Sequence, residues 1–167
     1  ASFKSLRKAV CRAIIPLAAL GLAACETTPI GSGPAIDTSK PVPVALLVPR
    51  GSGQASDDLL AQNLENAARL AMRDLNGVEI DLRVYGTGGN AQTAASQTAS
   101  AINDGAQIIL GPLYAEAANA AGVAAAAEGV NVLAFSNNTT IAGGNVFVLG
   151  STFANTADRL VSYANSQ

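Results

Sequence analysis

Short apolar runs alternate with helix-patterned stretches from residue 42 onward, and that alternation leaves few folds open to the chain. Residues 42–48 (Val-Pro-Val-Ala-Leu-Leu-Val) are continuously apolar and closed by Pro49, the pattern of a strand buried on both faces. Ser56, Asp57 and Asp58 then open a helix, with a hydroxyl cap and acids in the first turn. Leu60, Leu64, Ala67, Ala68, Ala71 and Leu75 recur at helical spacing and predict its buried face. Gln62, Glu65, Arg69 and Arg73 fall on the other side, and Asn76-Gly77 stops the helix. In residues 79–85, Ile80, Leu82 and Val84 alternate with Asp81 and Arg83, which predicts an edge strand with one wet face. A Gly/Asn turn over residues 86–90 leads into a helix over 91–103, ended by Asp104-Gly105. Residues 106–110 carry no charge and predict a central strand, broken by Gly111-Pro112. An Ala-rich helix over 113–128, strands over 130–135 and 145–149, and a last helix over 153–164 complete the pattern. Strand-helix alternation with short turns predicts crossover connections and a mostly parallel sheet, an α/β fold.

Ahead of this body lies a different kind of segment. Lys4, Arg7, Lys8 and Arg12 precede an apolar run, residues 13–22, and then Leu22-Ala23-Ala24-Cys25. Basic, apolar and small-residue regions in that order mark residues 1–24 as a secretory signal. The apolar run is too short to span a bilayer. Leu-Ala-Ala-Cys matches the bacterial lipobox, so Cys25 is expected to be lipidated and to become the first mature residue. Acyl chains on one residue hold a protein to a membrane without a spanning helix. Glu26 follows, not the Asp associated with inner-membrane retention in enteric bacteria, which leans toward the outer membrane. Residues 25–41 are then the lipidated Cys and a Pro/Gly/Ser/Thr tether, and 42–167 the folded part. Some sixteen such residues reach ~20–25 Å r.m.s.. The chain begins at Ala1 and is expected to be part of a longer protein.

Composition narrows the chemistry. The chain has no His, which removes the commonest general base and metal ligand. Its two Cys, Cys11 and Cys25, both precede the body, so neither a zinc cluster nor a disulfide framework is expected there. No metal and no cofactor are expected. The net charge of −2 includes the four leading cations, so the body is more acidic still, which argues against nucleic acid as a partner.

Several motifs invite a functional reading. Gly86-Thr-Gly88-Gly89-Asn90-Ala91 fits the G-x-G-x-x-A form, but a dinucleotide fingerprint belongs after the first strand, with an acid ending the next. A helix-capping turn is the better account. Gly51-Ser52-Gly53 lacks the Lys of a phosphate loop. Asp57-Asp58 resembles a carboxylate pair, yet acids at a helix start are the commoner explanation. No Ser has a His or a Gly-x-Ser-x-Gly elbow beside it, so no catalytic residues are assigned and no enzyme is expected. In parallel sheets ligands bind outside the carboxyl ends of the strands. Those ends carry Gly53, Tyr114 and the cluster Ser136, Asn137, Asn138, Thr139 and Thr140, which are the candidate contacts for a ligand or partner. The same polar residues also suit ordinary turns.

Ile108-Ile-Leu-Gly-Pro-Leu113, an Ala-rich helix, and then Gly129-Val-Asn-Val-Leu-Ala-Phe-Ser-Asn-Asn138 resemble type I periplasmic binding proteins of the leucine/isoleucine/valine-binding kind. The resemblance covers roughly residues 43–165. More narrowly, Val44-Ala-Leu-Leu-Val-Pro, Asn66-Ala-Ala-Arg-Leu-Ala-Met, Ile109-Leu-Gly-Pro-Leu and Asn131-Val-Leu-Ala-Phe-Ser-Asn-Asn look like the penicillin-binding-protein activator lipoproteins. The resemblance implies a three-layer α-β-α sandwich, the first of two lobes with a ligand cleft between them. Amino-acid binders of this kind hold the ligand carboxylate with hydroxyl residues after the third strand. Here Leu113, Tyr114, Ala115, Glu116 and Ala117 stand in that place. Ala donates no side-chain hydrogen bond, and Glu116 repels a carboxylate. Ser136, Thr139 and Thr140, after the fourth strand, could still serve.

Two functions follow as expectations. The first is a periplasmic, lipid-anchored regulator that activates a peptidoglycan synthase, a penicillin-binding protein, by contact and without chemistry of its own. The second is a substrate-binding lipoprotein of a branched-chain amino-acid or amide importer, closing around its ligand by hinge motion.

Overall fold

A computed structural model describes residues 35–166. The signal segment and Cys25 lie outside the described residues. Five parallel strands form one sheet in the order β2-β1-β3-β4-β5: β1 (Val42–Val48), β2 (Ile80–Gly86), β3 (Ile108–Leu110), β4 (Asn131–Ala134) and β5 (Val146–Val148). Four helices connect or follow them: α1 (Ala55–Arg73), α2 (Ala91–Asn103), α3 (Ala115–Ala126) and α4 (Phe153–Ala164). The expected α/β class and parallel pairing are therefore present. The one antiparallel contact among the described residues is an isolated bridge, Gly143 to Val146, in the turn before β5.

Strand β1 shows why the sheet is the centre of the molecule. Its side chains alternate between two cores. Ala45 and Leu47 join Ile109, Val132, Ala134 and buried alanines of α2 and α3. Leu46 and Val48 join Ala61 of α1, with Leu64, Ala68, Leu82 and Val84 packed around them. Helices thus cover both sheet faces, giving the three layers. With so few aromatics, closeness comes from small residues: α2 buries Ala94, Thr98 and Ala101, and α3 buries Ala117, Ala118, Ala121, Gly122 and Ala125. Such surfaces let two helices and a sheet approach to short range, where dispersion contacts are many.

Thr98 is the exception in that interface. Its hydroxyl is fully buried and has no hydrogen-bond partner among the described residues. An unmade bond costs more than a bond absent from both sides. Thr98→Val is therefore expected to leave unfolding free energy unchanged or to raise it by up to about 1 kcal/mol. A loss of more than about 1 kcal/mol in urea titration shows instead that the hydroxyl is bonded.

Three sequence expectations need correction. Helix α1 starts at Ala55, with Gln54 at its N-cap and no side-chain cap, so Ser56 lies inside the first turn and caps nothing. The buried face of α1 centres on Ala61, Leu64 and Ala68, while Leu60 and Leu75 are exposed. The buried stripe lies about one residue out of phase with the expected one, because leucine occurs on both the buried and the exposed side of this helix. Strand β2 is an edge strand whose charged face is only partly wet: all seven residues are half-buried overall, and the Asp81 and Arg83 side chains are each 40% exposed. Arg83 Nε donates to Asp81 Oδ2 at 2.9 Å and its guanidinium reaches the Asp104 carbonyl, so the two charges cover the strand themselves. Strand β1 and helix α2 have the expected bounds, and those of β2, β3, β4, β5 and α3 move by at most two residues. Helix α4 falls where expected and buries none of its side chains.

Candidate functional site

The carboxyl ends of the parallel strands deliver five loops to one rim. After β1, Arg50 turns along α1 and its Nη2 donates to Glu65 Oε2 at 2.8 Å. Arg69 holds the other oxygen of the same carboxylate, also at 2.8 Å. These two guanidiniums, Arg50 first, hold the Glu65 carboxyl below the usual carboxylate range. A depressed carboxyl stabilises the fold above its unfolded pKa and loses that contribution as pH falls through the folded value. Stability is expected to fall in that acid window, and Glu65→Gln is expected to flatten this part of the curve. Parallel denaturant titrations of the two proteins from neutral pH downward check it.

The start of α1 pins the loop. Asp58 Oδ1 accepts from Gly51 N at 3.1 Å, and Ser52 Oγ accepts from Gln54 N at 3.1 Å. After β2, buried Thr87 donates from both N and Oγ1 to the Val48 carbonyl, at 2.8 and 3.0 Å. Asn90 Oδ1 then accepts from Gln92 N and Thr93 N, at 2.8 and 3.1 Å, and caps α2. The Gly-rich stretch is thus the helix-capping turn expected from sequence.

After β3 the chain turns at Gly111, whose φ is +82° and whose N donates to the Leu133 carbonyl at 2.9 Å. Tyr114 follows, at the N-cap of α3. Its hydroxyl donates to Asp57 Oδ1 at 2.6 Å, and its ring lies so close to Gly89 that a Cβ there would sit 3.0 Å from Cε2. Tyr114 therefore ties the turn after β3 to the first turn of α1 and to the turn after β2. Hydrogen bonding to Asp57, then burial, raises the phenol's pKa. After β4, Ser136 is only 4% exposed and its Oγ accepts from Asn138 N at 3.1 Å. Asn138 Oδ1 accepts from Thr140 N and Thr140 Oγ1, at 3.0 and 2.8 Å, and starts a 3-10 turn over Thr139–Ile141.

All the sequence-derived candidates lie on the rim, but not as one group. Ser136, Asn137, Asn138 and Thr139 form a self-bonded turn in which Ser136 and Asn138 serve the backbone. The side chains of Asn137 and Thr139 take no hydrogen-bond partner among the described residues, and Thr139 edges an open hollow of about 720 Å³ with Phe147, Leu149 and Ala154. Tyr114 points instead toward Asp57, and Gly53 stands alone at an exposed loop tip. Sequence reading placed Asp57 only as a helix-start acid and missed its contact with Tyr114. The two are 57 positions apart, and no local pattern links them. No group of three His, Cys, Asp or Glu able to hold a metal occurs among the described residues.

The rim is a set of capped, hydrogen-bonded loops at the carboxyl ends of a parallel sheet, the place where α/β folds hold their ligands. The family model for periplasmic binding proteins matches residues 41–167, and the chain belongs to that family. Among solved structures, the chain is similar to the leucine-binding protein LivK from Thermotoga maritima, with a TM-score of 0.59 and 21% identity. That likeness covers 74% of this chain and 37% of the other, so the chain spans well under half of that protein, and the likeness is one of fold. No curated protein matches the chain.

Proposed function

We propose that this chain is the first lobe of an exported lipoprotein that acts by binding, and that its target is a peptidoglycan synthase, which it activates by contact. The family membership supports binding in the periplasm rather than chemistry. The observation that carries the choice of target is the clasp between Tyr114 and Asp57. In the amino-acid binders that this chain resembles, the turn after β3 offers hydroxyl donors to a carboxylate. Here the one hydroxyl in that turn, on Tyr114, is already donated to Asp57, and Glu116 stands in the first turn of α3. A free amino-acid carboxylate would meet acids and lose its donor. A protein surface has no such requirement.

Cys25 supplies the anchor in this reading, with Glu26 favouring the outer membrane. No helix among the described residues is long and apolar enough to cross a membrane. Mass spectrometry of the mature protein checks the anchor: a diacylated or triacylated N-terminal Cys25 is expected, and an unmodified thiol removes it.

The second reading, a binding protein of an importer for branched-chain amino acids or amides, draws on the Thr139 hydroxyl, which has no partner among the described residues and faces an open hollow. One pair of measurements on the full-length protein separates the two. The activator captures a peptidoglycan synthase and speeds glycan polymerisation, while calorimetry with leucine, isoleucine, valine and their amides shows no heat of binding. Saturable binding of one of these ligands, with no effect on polymerisation, transfers the conclusion to the importer.

A further inference from the structure

Leu59 and Leu70 are 59% and 61% exposed on α1, on the side turned away from the sheet-facing Ala61. They are eleven positions apart, about three helical turns, so they lie on one line along the helix. Asn63 and Asn66, both exposed, sit between them near the same line. The order Leu59, Asn63, Asn66, Leu70 reads the same in both directions about a midpoint between residues 64 and 65. Opposite charges also stand at the two ends of the helix, with Asp58 in the first turn and Arg73 in the last. Arg73 joins no ion pair among the described residues.

Single exposed leucines are ordinary on a protein surface. A two-fold-symmetric order with complementary ends is not, because an isologous contact demands a surface that fits itself. We propose that α1 pairs antiparallel with α1 of a second copy of this chain. Rotating one copy by half a turn about the midpoint sets Leu59 against Leu70 of the second copy and Asn63 against Asn66 of the second copy. The same rotation keeps each flank of the helix on its own side. It therefore brings Asp58 of one copy level with Arg73 of the other, unpaired among the described residues, an attractive pair at both ends. The exposed apolar side chains of α4 and β5 have no such internal symmetry and nothing that says what covers them.

The area involved is that of one helix pair, so the contact is weak and reversible and depends on a high local concentration of copies. Its register is specific, and cysteine pairs read register directly. Full-length protein carrying Leu59→Cys and Leu70→Cys together is treated with a mild oxidant in the cells that export it. A covalent dimer on a non-reducing gel is expected at least tenfold above either single variant, since each cysteine then faces its mate only in the doubly substituted chain. Asn63→Cys with Asn66→Cys tests the same register at two positions that contribute no apolar contact. Adding Arg73→Asp to either pair is expected to lower the dimer yield severalfold. Yields from both double variants no higher than from their singles, at equal protein levels, overturn the pairing, as does a yield indifferent to Arg73→Asp.

Discussion

Gly111→Ala is expected to lower the unfolding free energy by about 2–5 kcal/mol, enough to remove a large part of a typical domain's stability. Two effects combine. The backbone at Gly111 has φ +82°, where a side chain is disfavoured by roughly 1–2 kcal/mol. A Cβ there would also lie 2.4 Å from the Leu47 carbonyl oxygen, a backbone atom that cannot swing aside. That oxygen belongs to the central strand β1, so relief requires β1 and the end of β3 to move apart. Gly77→Ala separates the two effects. Gly77 has the same φ of +82°, but a Cβ there meets nothing within 4 Å. It is expected to cost only the conformational part, about 1–2 kcal/mol. Denaturant titration of both variants of the full-length protein decides the matter. Equal losses at the two positions show that the crowding at Gly111 is not what makes it glycine.

Leu47→Ala is expected to cost about 2–5 kcal/mol. Leu47 is wholly buried on β1, facing the alanines of α2 and α3. Alanine side chains are too short to reach into the space that Leu47 would leave, so collapse is poor and the cavity term large. Leu60→Ala on the exposed side of α1 is the control, with an expected change within about 0.5 kcal/mol. The pair also tests the corrected phase of α1, because the sequence pattern alone gave Leu60 a place in the core. A loss at Leu60 approaching that at Leu47 restores the earlier face.

The contrast between these two leucines shows what was legible in the sequence. Strand β1 was readable to the residue, because a continuous apolar run flanked by Pro49 has one structural meaning in an α/β chain. The central place of β3 followed from its lack of charge. Helix α1 was legible as a helix but not in its phase: its leucines run from the buried side at Leu64 to the exposed side at Leu59 and Leu70, and choosing the buried stripe needs the position of the sheet. The rim was located by topology, and the candidates Gly53, Tyr114, Ser136, Asn137, Asn138 and Thr139 all lie on it. Their bonding was not legible. Ser136 and Asn138 read equally as ligand contacts or turn residues, and in the structure their oxygens serve the turn. The Tyr114–Asp57 contact depends on α1 and α3 starting at neighbouring points on the rim, a tertiary fact with no trace in spacing.

The ion pair on β2 has a consequence for the life of the protein outside the cytoplasm. β2 is the outermost strand on its side of the sheet, and it is seven residues long. Among the described residues its outer flank pairs with no strand, and such a flank offers amides and carbonyls to any extended polypeptide it meets, the template from which insoluble aggregates grow. Asp81 and Arg83 place two opposite charges in the middle of that flank, locked to each other. An incoming strand would have to bury both beside its own side chains. An otherwise apolar strand thereby resists self-templated precipitation, and its two charges stay partly solvated and paired with one another.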